Sequence, residues 1–169
     1  MMDLDLSPRG RAALGLLIAE AFQADPGISP EDLALAKAGV ASAWGWVEGS
    51  RIDPDKLCDY IDGETNIPIR STAYEKGSRG RDTMAASFHA VGIAALYACE
   101  EADKRPTESV ENFGENELTL LYNRIGKLEP GEQARLARYE KYLLTLSRVD
   151  AGAAFGSPII RADILASTL

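Results

Sequence analysis

Three aspartates, Asp55, Asp59 and Asp62, stand at i, i+4 and i+7 behind an Asp53-Pro54 helix start. On a helix this spacing puts the three carboxylates on one stripe. Such a stripe can hold a divalent cation, serve a hydrolytic enzyme, meet a basic partner, or simply stay solvated. A cation site inside a helical bundle draws acids from several helices together with Glu-x-x-His pairs, and no such pair occurs here. A zinc site of a common type cannot be built from one histidine, His89, and two separated cysteines, Cys58 and Cys99. No metal and no cofactor is therefore expected.

The other residues with chemical potential point the same way. His89 lies in the middle of an apolar helical pattern, which favours a packed core residue over a catalyst. No Gly-x-Ser-x-Gly elbow and no Ser/His/Asp order is present. Gly77-Ser78-Arg79-Gly80 matches the bare Gly-x-x-Gly of KH domains, but the flanking strands are missing. Together with Lys76 and Arg81 it reads as a flexible basic loop, and it lacks the full glycine spacing of a phosphate-binding loop. Cys58 and Cys99 each fall inside an apolar helical pattern. They are expected to be buried as small hydrophobes in a reducing compartment. No catalytic residue is expected, and the chain reads as a non-enzyme.

The elements that would position these groups are helices. Ser29-Pro30 opens the clearest one, with Ser29 as cap, Pro30 at the first helical position and Asp32 completing a capping box. Leu33, Ala36, Val40, Ala43, Trp44 and Val47 make one apolar face, Leu35, Gly39 and Trp46 a second, and Gly49 the stop. Trp44 and Trp46 lie about 200° apart on a helix, so they face different neighbours; core packing is favoured for both. This stretch, about 30–48, is taken as the central helix. A second Ala-rich, nearly buried helix is expected over about 83–103, through Met84, Phe88, Val91, Ala95 and Cys99. Further helices are predicted over about 7–24, with Arg9, Arg11 and Glu20 in solvent, and over 54–62, 115–127 and 130–151. Pro68 argues against a helix in 63–81, where a short extended piece around Ile67 and Ile69 is expected instead. Residues 105–114 read as a polar connection. The fold class is all-α: a single domain of about six helices packed around the 30–48 and 83–103 pair.

The chain has 169 residues and a net charge of −8, which disfavours direct contact with nucleic acid or an anionic membrane. The uncharged run 83–99 is short for a membrane span, and Met1-Met2-Asp3-Leu4-Asp5 has no basic region of a signal peptide. A cytoplasmic location is expected. The acids concentrate in 48–64 and 100–117, whereas 63–81 and the C-terminal third are mildly basic. Clustered acids beside exposed helix edges suit a basic partner. The candidate partner-binding residues are Asp55, Asp59, Asp62, Glu64, Glu108, Glu111, Glu115 and Glu117.

The order of features resembles a known group. A Leu6-Ser7-Pro8-Arg9-Gly10-Arg11 helix start precedes an Ala-rich helix ending Trp44-Gly45-Trp46-Val47-Glu48-Gly49. Asp55-Lys56-Leu57 and Tyr60-Ile61-Asp62 follow, and then a long Ala-rich helix. Over roughly 6–105 this is similar to the small, acidic, all-α immunity proteins of bacterial polymorphic and contact-delivered toxin systems. The resemblance implies a non-catalytic cytoplasmic protein that neutralises a cognate, basic toxin by covering its active site or substrate path. It names no interface residues. Two alternatives stay open: a small all-α enzyme or carboxylate-metal hydrolase using the aspartate stripe, and an adaptor or scaffold. A homodimer is compatible with all three.

Overall fold

Helix starts set the architecture, and most use the same device. In the computed structural model, which describes residues 5–64, 66–150 and 152–167, nine helices and no strand are found among the described residues. They are α1 (Pro8–Gln23), α2 (Pro30–Val47), α3 (Pro54–Asp62), α4 (Ile67–Ser71), α5 (Arg79–Glu101), α6 (Glu108–Glu111), α7 (Glu115–Ile125), α8 (Pro130–Val149) and α9 (Arg161–Ala166). Ser7, Ser29, Asp53, Asn66 and Ser78 each accept a backbone N–H of the first turn with the side chain. Proline follows the first four of these caps within two positions, where its missing N–H costs nothing.

The helix the others pack around is α5. It touches α1, α2, α3, α4, α6 and α7, and α1 in turn reaches α2, α7 and α8. Residues 12–19 of α1 are all buried, and the α5 interior is lined by Ala86, Ala90, Ala94, Ala95 and Ala98. Small side chains let neighbours close in on α5 from several sides. The 30–48 helix enters the core as expected, through Ala36, Gly39, Val40, Ala43, Val47 and both tryptophans. It is not the hub, because Ala34, Ala38 and Ala41 lie in solvent. Alanine is equally at home on either side of a helix, so the Ala-rich pattern overstated its burial.

Four local expectations are corrected. Residues 67–71 form α4 rather than an extended piece. Asn66 caps Ile69 N–H at 2.8 Å, and Pro68 occupies the first turn, where proline is tolerated. The connection 105–114 contains α6, whose Val110 is buried. Only the first half of the Gly77–Gly80 stretch is loop: Gly77 is an exposed turn residue, Ser78 caps α5, and Arg79 and Gly80 are its first two residues. A Cβ at Gly80 would lie 2.4 Å from the Gly27 carbonyl oxygen, so the glycine is there for close packing. Its basic neighbours are engaged: Arg79 donates to Asp25 O at 2.7 Å and lies over the Phe22 ring, and Arg81 donates to Ser71 O. Asp32 does not close a capping box either, since its buried carboxylate accepts from Arg70 and Tyr74 while Ser29 N–H donates to Tyr74.

Gly92 shows how tightly α5 is packed. A Cβ there would come within 2.0 Å of the Phe113 ring, and that ring is itself held edge-on to Phe88 at 5.0 Å. Overpacking of this kind costs about 1–3 kcal/mol, more than the roughly 1 kcal/mol that alanine gains over glycine in a helix. Gly92→Ala should therefore lower the urea midpoint at unchanged slope. A variant as stable as the wild type would contradict this packing.

Candidate functional site

The aspartate stripe is built as the spacing requires. Asp53 caps α3, Leu57, Cys58 and Ile61 point into the core, and Asp55, Asp59 and Asp62 are exposed on the outer side. Behind α5 the chain reverses at Asp103, whose φ of 51° is left-handed, a conformation that aspartate tolerates better than most residues. The reversal lays 104–111 beside α3. Lys104 Nζ donates to Asp53 Oδ1 at 2.8 Å and to Asp55 Oδ2 at 3.0 Å. Thr107 donates to Asp62, and Arg105 pairs with Glu111 at 3.0 Å. The hydrogen bond from Lys104, then that from the Asp55 amide, holds the Asp53 carboxyl below its usual range. The same contacts, Asp53 first and then Asp55, raise Lys104.

The two acidic stretches of the sequence thus meet on one face. Asp55, Asp59, Asp62 and Glu64 come from α3 and its end; Glu108 and Glu111 come from α6, and all six are exposed. Glu117 stands apart at the start of α7, where its carboxylate accepts the Gly114 amide at 2.7 Å. Glu115 is the first residue of α7, and its side chain lies outside the described residues. Lys56, Lys104 and Arg105 are the basic residues within this face, and two of them are committed to pairs. Among the described residues no group of three His, Cys, Asp or Glu side chains is placed to hold a metal ion.

Elsewhere, charges serve the frame. Asp82 is buried and takes Arg124 at 2.6 Å and Lys127 at 2.8 Å. Burial pushes the Asp32 carboxyl up, but Tyr74, Arg70 and Ser29 outweigh it and hold it below the ordinary value. Arg9, expected in solvent, is 7% exposed and grips both oxygens of Glu101 at 2.9 Å. An open groove of about 620 Å³ lies between α1, α2 and α9. On its floor, Glu20 accepts from Trp44 Nε1 at 3.0 Å and from Arg161 at 2.9 Å. Sequence reasoning missed this groove, because Glu20 and Arg161 are separated by 141 residues and share no local pattern.

His89 packs beside the Phe88–Phe113 pair, with its ring centroid 5.2 Å from Phe88 and 6.3 Å from Phe113. Burial, and secondarily the Arg124 charge, depress its pKa from 6.5 to about 4. Trp44 and Trp46 are both buried. No helix among the described residues is long and apolar enough to cross a membrane. No family model matches the chain, and no curated protein or solved structure matches it.

The His89 shift has a pH consequence. Between pH 6.5 and about 4 the unfolded chain takes up a proton at this ring that the folded chain refuses. The ring's contribution is therefore full above 6.5 and is lost as the pH falls towards 4. His89→Leu should remove that part of the acid loss, so that wild type weakens relative to the variant across this window in urea titrations. A difference that stays flat with pH would contradict the assignment.

Proposed function

We propose that this chain is a non-catalytic, protein-binding inhibitor: a cytoplasmic immunity protein that neutralises a basic toxin through the acidic face of α3 and α6. One observation carries the reading. The acids of 53–64 and 103–111, far apart in the chain, are laid side by side on a face whose inner side is fixed in the core, while Asp32 and Asp82 are buried in ion pairs and Glu101 clamps the buried Arg9. A face of one sign raises the encounter rate with a partner of the other and penalises wrong partners. Because α3 is anchored by Leu57, Cys58 and Ile61, the face can bind with little ordering cost.

The test is co-expression with the toxin encoded beside this chain, paired with association rates at low and high salt. Asp59, Glu64 and Glu108 are the residues to reverse to Lys, because Asp55 and Asp62 also hold Lys104 and Thr107. The triple reversal should slow association by about tenfold or more and weaken rescue. The unfolding midpoint should move little, since surface changes away from special contacts stay within about 0.5 kcal/mol. Added salt should slow the wild type and spare the variant. Full rescue with salt-independent association would place recognition elsewhere on the molecule.

A further inference from the structure

Cys58 and Cys99 are 41 residues apart in the chain, yet their sulfurs lie 3.8 Å from each other across the contact between α3 and α5. Both are free thiols and both are buried. We propose that this pair is a covalent modification site, at which a low-molecular-weight disulfide oxidises the two thiols to one intramolecular disulfide joining α3 to α5. The sulfurs need to approach by only about 1.8 Å to reach bonding distance, a distance within the reach of side-chain rotation and a small helix shift.

The chemistry balances as two exchanges. One cysteine thiolate attacks a sulfur of the small disulfide, forming a mixed disulfide and releasing one small thiol. The second cysteine then gives up its proton and attacks the protein-side sulfur of that mixed disulfide, releasing the other small thiol. Two protein thiols are oxidised and one small disulfide is reduced to two thiols. In the docked state burial, and then the neighbouring Cys58, push the Cys99 thiol up to about 12, so the docked Cys99 is a poor nucleophile. The first exchange therefore belongs to the folding stage, while a thiol is still open to solvent; the seating of α3 on α5 then brings the second sulfur to the mixed disulfide and afterwards shields the bond from reductants. Its effect is to fix the base of α3, whose outer side carries Asp55, Asp59 and Asp62. The inference stands whether or not that side binds a partner, and it is independent of the proposed cytoplasmic location: it requires an oxidising pool of small disulfides, because a reducing cytoplasm would keep both thiols free.

The experiment unfolds the full chain and refolds it in mixed oxidised and reduced glutathione. The sample is then quenched with acid, labelled with maleimide in denaturant and mapped by mass spectrometry. Most molecules should resist labelling and yield a Cys58–Cys99 linked peptide. The linked form should melt higher than the reduced form, by roughly 5–10 °C, and lose that increment on reduction. Cys58→Ala should show no increment and leave Cys99 open to label. The proposal is overturned by full labelling of both cysteines after refolding. It is equally overturned by links to glutathione or to a second chain in place of the internal bond, or by a linked form that melts no higher than the reduced one.

Discussion

A buried cation dictates how this chain closes. Arg9 sits at the start of α1 with 7% of its surface exposed, where a charge left without partners would cost several kcal/mol. Its guanidinium meets Glu101 at the end of α5, the carbonyl of Gly156 at 2.9 Å, and the face of Trp46 at 4.9 Å. Trp46 Nε1 donates to the same Glu101 at 2.8 Å, and the Arg9 amide donates to Phe155 O at 3.0 Å. One side chain thus joins the start of α1, the ends of α2 and α5, and the segment leading to α9. The Trp-Gly-Trp sequence of α2 repeats the arrangement on its other side. Trp44 donates to Glu20, and Glu20 is held by Arg161 of α9. Two indoles about 200° apart each find a carboxylate already clamped by an arginine.

This internal use of charge gives the acidic face its meaning. Arg70 with Asp32, and Arg124 and Lys127 with Asp82, tie loops and helices to α2 and α5 in the same manner. The acids of α3 and α6 are different in kind. They are exposed, they outnumber the lysines and arginine among them, and the pairs they do form lie at the surface. Solvent screens pairs of that kind and they add little to stability, so the fold has little need of them. A surface that stability does not require, on a helix that the core holds rigid, is well suited to recognition.

Much of this was legible in the chain itself, and the gaps have physical causes. Ser or Asp followed by Pro marks α1, α2 and α3, because cap and proline act locally. The spacing of Asp55, Asp59 and Asp62 against Leu57, Cys58 and Ile61 also reads directly as an outer and an inner side. What local reasoning could not reach depends on distant partners. Arg9 looked like a solvent residue because Glu101 and Gly156 lie 92 and 147 residues away. Pro68, by contrast, is a local case: it reads as a breaker on its own, and the Asn66 cap two residues earlier turns it into a helix start. Cys58 and Cys99 looked isolated because only the packing of α3 on α5 brings them together. The meeting of the two acidic stretches depends on the reversal at Asp103, which periodicity does not signal.

Amide hydrogen exchange of the chain, with and without the basic toxin proposed as its partner, tests the α1–α5 frame and the proposed recognition face on α3 and α6 at once. In the free protein the amides of α1 and α5 should exchange most slowly. On binding, protection should rise in 54–64 and 103–111 and stay unchanged in α8 and along the groove between α1, α2 and α9. New protection confined to that groove or to α7 and α8, with 54–64 unaffected, would contradict the account.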